Sequence, residues 1–553
     1  MADEPTTLST SSPVPVAPAP AVPPVLDEAH IGDIQGALGT ISMHETAPRH
    51  GLRPRLLALL AIMGPGLIVM VGDNDAGGVS TYAQAGQNYG TSLLWTLLLL
   101  IPVLIVNQEM VVRLGAVTGV GLAKLIYERF GRFWGWYSVS SLFLLNFCII
   151  ITEFIGIRLA LGYFGVSEYV AVPAAALCLV LITASGSFRN WERFMYLFVA
   201  ANFLVIPLVV LAHPSVGTVA RDAVVPGIQG GINSTGMLLI IAIVGTTVAP
   251  WQLFFQQSNL IDKRITPRWI NYERADTVIG AFVVVLGAGA LITVTAFAFH
   301  GTAAAGQFTD AGATAHGLAH RLGSTAGTFF AVILLNASLI GAAAVTLATS
   351  YAFGDIFGAR QSLNRGFLEA KQFYASFTGL IAVAAAVVLI PGAPLGVITT
   401  AVQALAGILL PTSIVFLLML CNDREILGPW ANRAWLNGLA SVIVGVLIVL
   451  SIILMVTTVF TSIDVASLAE YLAGALVLIL LGAGVRSALR NRRRALEPVL
   501  APESREGWSM PPLALLARPK MSAGRRVAMG MLSGYVVVAI VLLVVKAVQL
   551  GGG

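Results

Sequence analysis

The stretch GPGLIVMVGDNDAGGVSTYAQAG, residues 64–86, decides the fold. Apolar sequence of helical length lies on both sides of a polar patch, Asp73, Asn74 and Asp75, which Ala76, Gly77 and Gly78 follow. Two carboxylates so placed fall near the middle of a membrane span, where each costs about 2.5–3.5 kcal/mol on insertion scales and needs water, a cation or other polar groups. A cation path is the economical reading. Gly72, Gly77 and Gly78 also favour a break in the helix, which frees carbonyl oxygens beside the carboxylates.

The rest of the chain sets the same solvent. Its 553 residues are 57% hydrophobic and 11% charged, against about 25% charged in soluble domains. Apolar runs of about 20 residues, long enough to cross a bilayer, recur from Leu56 to Val545. They predict an all-α polytopic membrane protein with about thirteen spans, near 56–90, 92–114, 134–162, 168–187, 194–212, 234–258, 276–299, 325–352, 373–391, 396–421, 435–460, 465–485 and 527–545. Residues 1–52, with the Ala/Pro run from Pro13 to Pro24, read as a disordered cytoplasmic tail. A transport core is expected over 53–421, two additional spans within 422–485, a basic cytoplasmic loop over 486–526 and a last span within 527–553. Cys148, Cys178 and Cys421 lie within or at the ends of apolar spans and read as packing residues.

Cations fall at alternate ends of the spans. Arg49, Arg53 and Arg55 precede the first, Arg113, Lys124, Arg129 and Arg132 follow the second, and Lys263, Arg264 and Arg268 follow the sixth. Basic residues are retained in short cytoplasmic loops, so the amino terminus is expected in the cytoplasm, in a multi-pass protein of a bacterial plasma membrane. The formal net charge of +5 then reflects topology. The expected partners are the bilayer and a divalent metal ion, with no nucleic acid.

The second interruption lies in GMLLIIAIVGTTVAPWQLFFQQSNL, residues 236–260. Gly245, Thr246, Thr247 and Pro250 weaken the helix at its centre, because Pro250 lacks an amide hydrogen and clashes with the preceding turn. Spans one and six are five apart, and interrupted segments at corresponding positions of two halves point to an inverted repeat with a midplane site.

At these residues the sequence resembles the Nramp divalent metal transporters. Their first span has GPG, then eight residues later DPGN, then QAG; here Gly64, Pro65 and Gly66 are followed by Asp75, Ala76, Gly77 and Gly78, then Gln84, Ala85 and Gly86. Their sixth-span motif, GATVMPHNL, is matched by Gly245, Thr246, Thr247, Val248, Ala249, Pro250, Trp251, Gln252 and Leu253. Gln403 stands eight residues before Pro411, and CNDREILG, residues 421–428, is similar to the family's TSDRRVMG. The likeness runs from about residue 55 to 460. It implies a LeuT-like 5+5 inverted repeat with broken first and sixth spans, extended by the additional C-terminal spans.

The departures bear on selectivity. The family holds its ion with the Asp and Asn of DPGN, the Met of MPH, backbone carbonyls and sometimes the tenth-span Gln. Of these side chains Asp75 and Gln403 remain, while Gly78 stands for the Asn and Ala249 for the Met. The thioether that favours transition metals is gone. Mg²⁺ dehydrates reluctantly, keeps several waters and touches only one or two carboxylates, and a widened site with Asp75 and Asp73 suits such an ion. This resembles the Nramp-related magnesium transporters, which carry Ala-Pro where Nramp has Met-Pro. Asp73 occupies the place of a Tyr in the usual pattern. The metal site expected is therefore Asp75, Gly78, Thr246, Ala249, Gln403 and Asp73, for Mg²⁺ with Mn²⁺ tolerated.

The family's proton relay is depleted as well. Its D-L-A-E keeps only Glu153, with Ile150 at the Asp position, and Trp251 replaces the His. Glu153 is expected to be structural, with Arg158 as a candidate partner, and import to need no proton. A proton-coupled Mn²⁺/Fe²⁺ transporter is the alternative. An amino-acid transporter of the same architecture is disfavoured because Asp73 and Asp75 repel a substrate carboxylate. An enzyme finds no support in an HExxH, GxSxG or P-loop pattern, and no catalytic residue or cofactor is expected. Gln108, Glu109, Gln256, Gln257 and Asn336 read as partners between helices, and His300, His316 and His320 share no face at ligand spacing.

Overall fold

The first span breaks twice. Helix α1 (Leu52–Ile62) ends at Met63, and α2 (Pro65–Gly72) starts after Gly64, whose φ of 148° is open to glycine and strained for other residues. Pro65 opens α2 without loss, since an amide at that position has no partner inside the helix. The two axes are bent by 54°. The second break, residues 73–75, falls in the carboxylate patch, and α3 (Ala76–Tyr89) resumes from Asp75. The glycine pair Gly77 and Gly78 thus belongs to the first turn of α3, just after the break.

A computed structural model describes residues 28–45, 49, 51–460 and 463–494, together with 505, 508, 510–516, 529, 530, 532, 534, 535 and 537. After α3 come α4 (Leu94–Thr118), α5 (Leu122–Phe130), α6 (Arg132–Tyr163), α7 (Glu168–Thr183), and α8 (Phe188–Ala201) with α9 (Val205–Ala212) as one span. The short α10 (Val216–Val224) precedes α11 (Ser234–Thr247) and α12 (Pro250–Asp262), the two halves of the sixth span. Then follow α13 (Ile270–Phe299), α14 (Ala311–Leu322), α15 (Ser324–Phe357), α16 (Lys371–Val388), α17 (Leu395–Cys421), α18 (Arg424–Leu427), α19 (Ala434–Val459) and α20 (Val465–Arg494). Among the described residues ten spans are long and apolar enough to cross a membrane, eleven with the bent α1–α2 pair, and α7 is a shorter apolar helix. The protein is a multi-pass membrane protein. Each expected span up to residue 485 coincides with helix; the thirteenth, 527–545, lies mostly outside the described residues.

The sixth span is the most enclosed, with 94% of its apolar window buried. Its break is at Val248 and Ala249, and Pro250 begins the second half-helix instead of kinking a continuous one. Gly245 has a different task from the one its sequence suggests. A Cβ there would stand 2.1 Å from the Gln403 carbonyl and 2.3 Å from Gly407 N, so its role is to let α11 lie backbone to backbone on α17.

Two expectations about the ends need correction. The tail does not stay disordered to residue 52: β1 (Ile34–Gly36) and β2 (Gly39–Ile41) pair antiparallel, and Ile34 and Ile41 pack into the core with Ala58, Ala61 and Ile62 of α1. The basic stretch 486–526 is not all loop, since α20 runs on to Arg494. Farther on, Trp430 Nε1 donates to the Arg505 carbonyl at 2.8 Å, and the Arg505 guanidinium stands 4.9 Å above the Trp430 ring.

The CNDREILG segment turns back onto α5. Arg129 is buried, donating to Asp423 Oδ2 at 2.6 and 3.0 Å and to Glu425 Oε2 at 2.7 Å. Removing one partner of a buried pair leaves the other charge uncompensated, at about 3–5 kcal/mol. Arg129→Met should therefore lower the unfolding temperature in detergent markedly; a melting curve that overlies the wild type would count against this anchoring.

Candidate functional site

The two breaks face each other, and Asp75 stands between them. It is the N-cap of α3: its Oδ1 accepts the Gly78 amide at 2.6 Å, replacing an intrahelical bond that the first turn lacks. Thr246 Oγ1, at the end of α11, lies 3.5 Å from the same oxygen, at the limit of a hydrogen bond. Tyr82 OH and Thr247 Oγ1 meet at 2.8 Å one turn away and fix α3 to α11. Thr400 Oγ1 donates to Gln84 Oε1 at 2.9 Å, which fixes α3 to α17.

Gly78 contributes its amide and also its lack of a side chain. A Cβ there would lie 2.8 Å from the Asp73 carbonyl and 3.1 Å from Thr246 Oγ1. Any side chain at 78 needs backbone movement at the break. Gln403 joins from α17, its Nε2 so close to Gly77 that a Cβ at 77 would fall 1.6 Å from it. That Nε2 has no hydrogen-bond partner among the described residues. Because O and N of an amide are assigned from the network, the same rotamer with its ends exchanged presents Oε1 to the break. Ala249 is buried as the N-cap of α12 and offers no side-chain ligand.

Asp73 is fully buried, and neither carboxylate oxygen has a hydrogen-bond partner among the described residues. It lies beside Gln252, which donates to the Thr247 carbonyl at 3.2 Å and accepts from Gln108 Nε2 at 3.1 Å. The carboxylate therefore adjoins a chain of amides between α12 and α4. Asn74 turns the other way and donates to the Val284 carbonyl at 3.1 Å, so it takes no part.

Glu153 is not where the sequence put it. Arg158 pairs with Glu168 and donates to the Val388 carbonyl, away from Glu153. Glu153 is instead buried against the break: its Oε2 accepts the Ala76 amide at 3.1 Å, and Oε1 has no hydrogen-bond partner among the described residues. A Cβ at Gly341 would stand 2.6 Å from Glu153 Cδ and 2.9 Å from Asp75 Cβ, so both side chains crowd one glycine of α15. No spacing in the sequence announces this neighbour, because α6 meets α3 only in the folded bundle, where a Cβ at Gly156 would lie 2.5 Å from Ala76 Cβ. Trp251 is buried in the place of the family's His, with its Nε1 unpartnered among the described residues.

Of the six site residues expected, Asp75, Gly78, Thr246 and Gln403 gather at the break, Ala249 lines it as backbone, and Asp73 adjoins it through Gln252. The other polar residues serve between helices as expected: Gln256 to Thr277 Oγ1 at 3.0 Å, Gln257 to the Val120 carbonyl at 2.6 Å, and Asn336 to the Phe198 carbonyl at 2.7 Å. Glu109 meets both Arg113 and Arg274.

The comparisons with known proteins bear on the family and the fold. Residues 66–457 match the family model "Natural resistance-associated macrophage protein-like", Nramp. Among relatives, the "Divalent metal cation transporter MntH" of Ralstonia nicotianae is 30% identical over 397 residues, covering 68% of this chain and 86% of that protein. The protein of the same name from Burkholderia ambifaria is 26% identical over 445 residues, covering 76% and 97%. The crystal structure of the Eremococcus coleocola manganese transporter, in complex with an aromatic bis-isothiourea substituted compound, superposes with a TM-score of 0.60 at 20% identity, covering 81% of this chain and 98% of that one, which establishes the shared fold. Two helix breaks in register, the acid between them and a family match across most of the chain lead to one conclusion: the chain belongs to the Nramp family.

Proposed function

We propose that this protein carries divalent metal ions across the membrane through the double break, taking Mg²⁺ as a largely hydrated ion and tolerating Mn²⁺. The observation that carries the proposal is Asp75, a buried carboxylate aimed between two interrupted helices, with no side chain at Gly78 and no sulfur at Ala249. An oxygen-only site without sulfur removes the preference for soft transition metals and so favours a hard ion that keeps part of its hydration shell; the absent side chain at Gly78 leaves no widened space, since a Cβ there would meet the Asp73 carbonyl at 2.8 Å and Thr246 Oγ1 at 3.1 Å. Thr246, Gln403 and Asp73 are the further oxygen donors in reach of the break, and the names of the MntH relatives support the divalent class.

In this reading import is driven by the membrane potential, about 2.3 kcal/mol per charge per 100 mV and twice that for a divalent ion. Glu153 has neither the acid at Ile150 nor an imidazole at Trp251 to pass a proton onward. The contact of Glu153 with Asp75 favours a second reading, in which the entering ion displaces a proton from the pair and the protein is a proton-coupled Mn²⁺ transporter.

Three measurements test this. Asp75→Ala should abolish Mg²⁺ uptake into proteoliposomes while the melting temperature stays within a few degrees; uptake at the wild-type rate would move the site elsewhere. Ala249→Met should shift competition from Mg²⁺ towards Mn²⁺ and Cd²⁺ by about tenfold, the scale of one soft ligand gained; position 78 is left alone, because a Cβ there meets backbone. If millimolar Mg²⁺ fails to compete with Mn²⁺ in the wild type, the magnesium reading falls. A pH dye inside vesicles should stay silent as Mg²⁺ enters, and Glu153→Gln should keep transport; acidification that vanishes in Glu153→Gln would establish the second reading.

A further inference from the structure

A cavity of about 350 Å³ lies between the fifth and seventh spans, and none of the six expected ion-site residues lines it. Its volume is that of a small-ligand site. Helix α9 supplies one wall with Ile206 and Val210, and α13 the other with Leu286, Gly287 and Ala290. Gly287 and Ala290 stand three apart, on one face of α13, and their small size keeps the space clear. The rim is open to lipid. Phe203, Ile206, Val210 and Leu286 are more than half exposed, and the α8–α9 span has 17% of its apolar window buried. Aliphatic surface of this kind on a membrane span meets hydrocarbon tails, so the cavity is entered from the bilayer.

Two amides interrupt the aliphatic lining. Asn74, in the break between Asp73 and Asp75, is more than nine-tenths buried. Its Nδ2 donates to the Val284 carbonyl at 3.1 Å, which sets the orientation of the amide, and its Oδ1 has no hydrogen-bond partner among the described residues. Asn202 opens the 3₁₀ turn Asn202–Leu204 between α8 and α9, and its buried Nδ2 is likewise unpartnered among the described residues. No other polar side chain among the described residues lines the cavity. A buried polar group away from water requires a partner, and two contacts are the least that hold a water molecule. A hydroxyl on a hydrocarbon chain answers both features at once. The chain fills the aliphatic space, and the hydroxyl, which donates and accepts, suits Asn74 Oδ1 and the Asn202 amide. A charged group in the same lining would be left unpaired.

We propose that this cavity binds an uncharged amphiphile from the bilayer, a hydrocarbon chain bearing a hydroxyl, with Asn74 and Asn202 as the polar contacts. The site is independent of the transport reading, and its test needs no ion. Full-length protein in lipid nanodiscs is photolabelled with a long-chain primary alcohol carrying a mid-chain diazirine, and with the same chain ending in a methyl group. Labelled residues are located by peptide mass spectrometry, and each yield is taken relative to α20, whose apolar window is 0% buried and so reports plain contact with lipid. In the wild type the alcohol should label 199–210 and 283–291 saturably, about fivefold above the methyl-ended chain, the scale of one buried hydrogen bond. Ala290→Phe, which fills the cavity, should abolish that labelling and leave α20 as it was. Asn202→Leu, which gives up no side-chain hydrogen bond among the described residues, should bring the two chains towards equal yield. Excess unlabelled monoacylglycerol that competes as well as the unlabelled alcohol would assign the hydroxyl to a lipid, and competition by the alcohol alone would assign it to a free chain; either supports the site. Labelling that does not saturate, equal yield from the two chains in the wild type, or an unchanged pattern in either folded variant would overturn it.

Discussion

Inside a bilayer a backbone polar group has no water to turn to, and this constraint governs the whole molecule. A helix can be broken there only where other protein groups, or a water-lined space, take over the bonds it releases. The break at 73–75 meets that demand with one local group and one distant one, since Asp75 caps α3 and Glu153 of α6 accepts the Ala76 amide. The break at 248–249 is served by Gln252, which takes the Thr247 carbonyl. Close packing does the rest. Gly245 lets α11 touch α17, and hydroxyl contacts from Tyr82 and Thr400 hold α3 against both.

Electrostatics then distinguish the two ends of α2. At its C-terminal end Asp73, Asp75 and Glu153 are buried without a lysine or arginine partner among the described residues. At its N-terminal end a buried base is present among the acids. Lys263 answers Glu192, and Asp276 is bound by the amides of the bend.

Most of the fold is legible in the sequence because its signals are strong in lipid. Runs of helical length give the spans, and mid-span polar residues give the breaks. Asp75 and Thr246 are legible from the polar interruptions of their spans, and Gly78 and Gln403 through motif register. The misses share a cause: they depend on contacts between distant segments. Glu153 reaches Asp75 because Gly341 leaves room on α15, and Arg158 finds Glu168 five residues after its own helix ends. The hairpin is hard to read because a short alternation in a Pro- and Ala-rich leader carries little weight, whereas the buried Glu192 that holds Ala37 N lies 155 residues away. Gly245 reads as a helix breaker where it is a packing surface, a distinction that requires knowing what lies opposite.

In the proposed function one ion sits between the two breaks with Asp75 as its charged ligand. Crystals soaked in Mn²⁺ and measured at the manganese absorption edge test it most directly. A single mid-membrane anomalous peak is expected within coordination distance, about 2.0–2.6 Å, of Asp75 or of a water bound to it, fading when Mg²⁺ is added in excess. A peak elsewhere in the bundle, or a peak at the break that persists in Asp75→Ala, would contradict it.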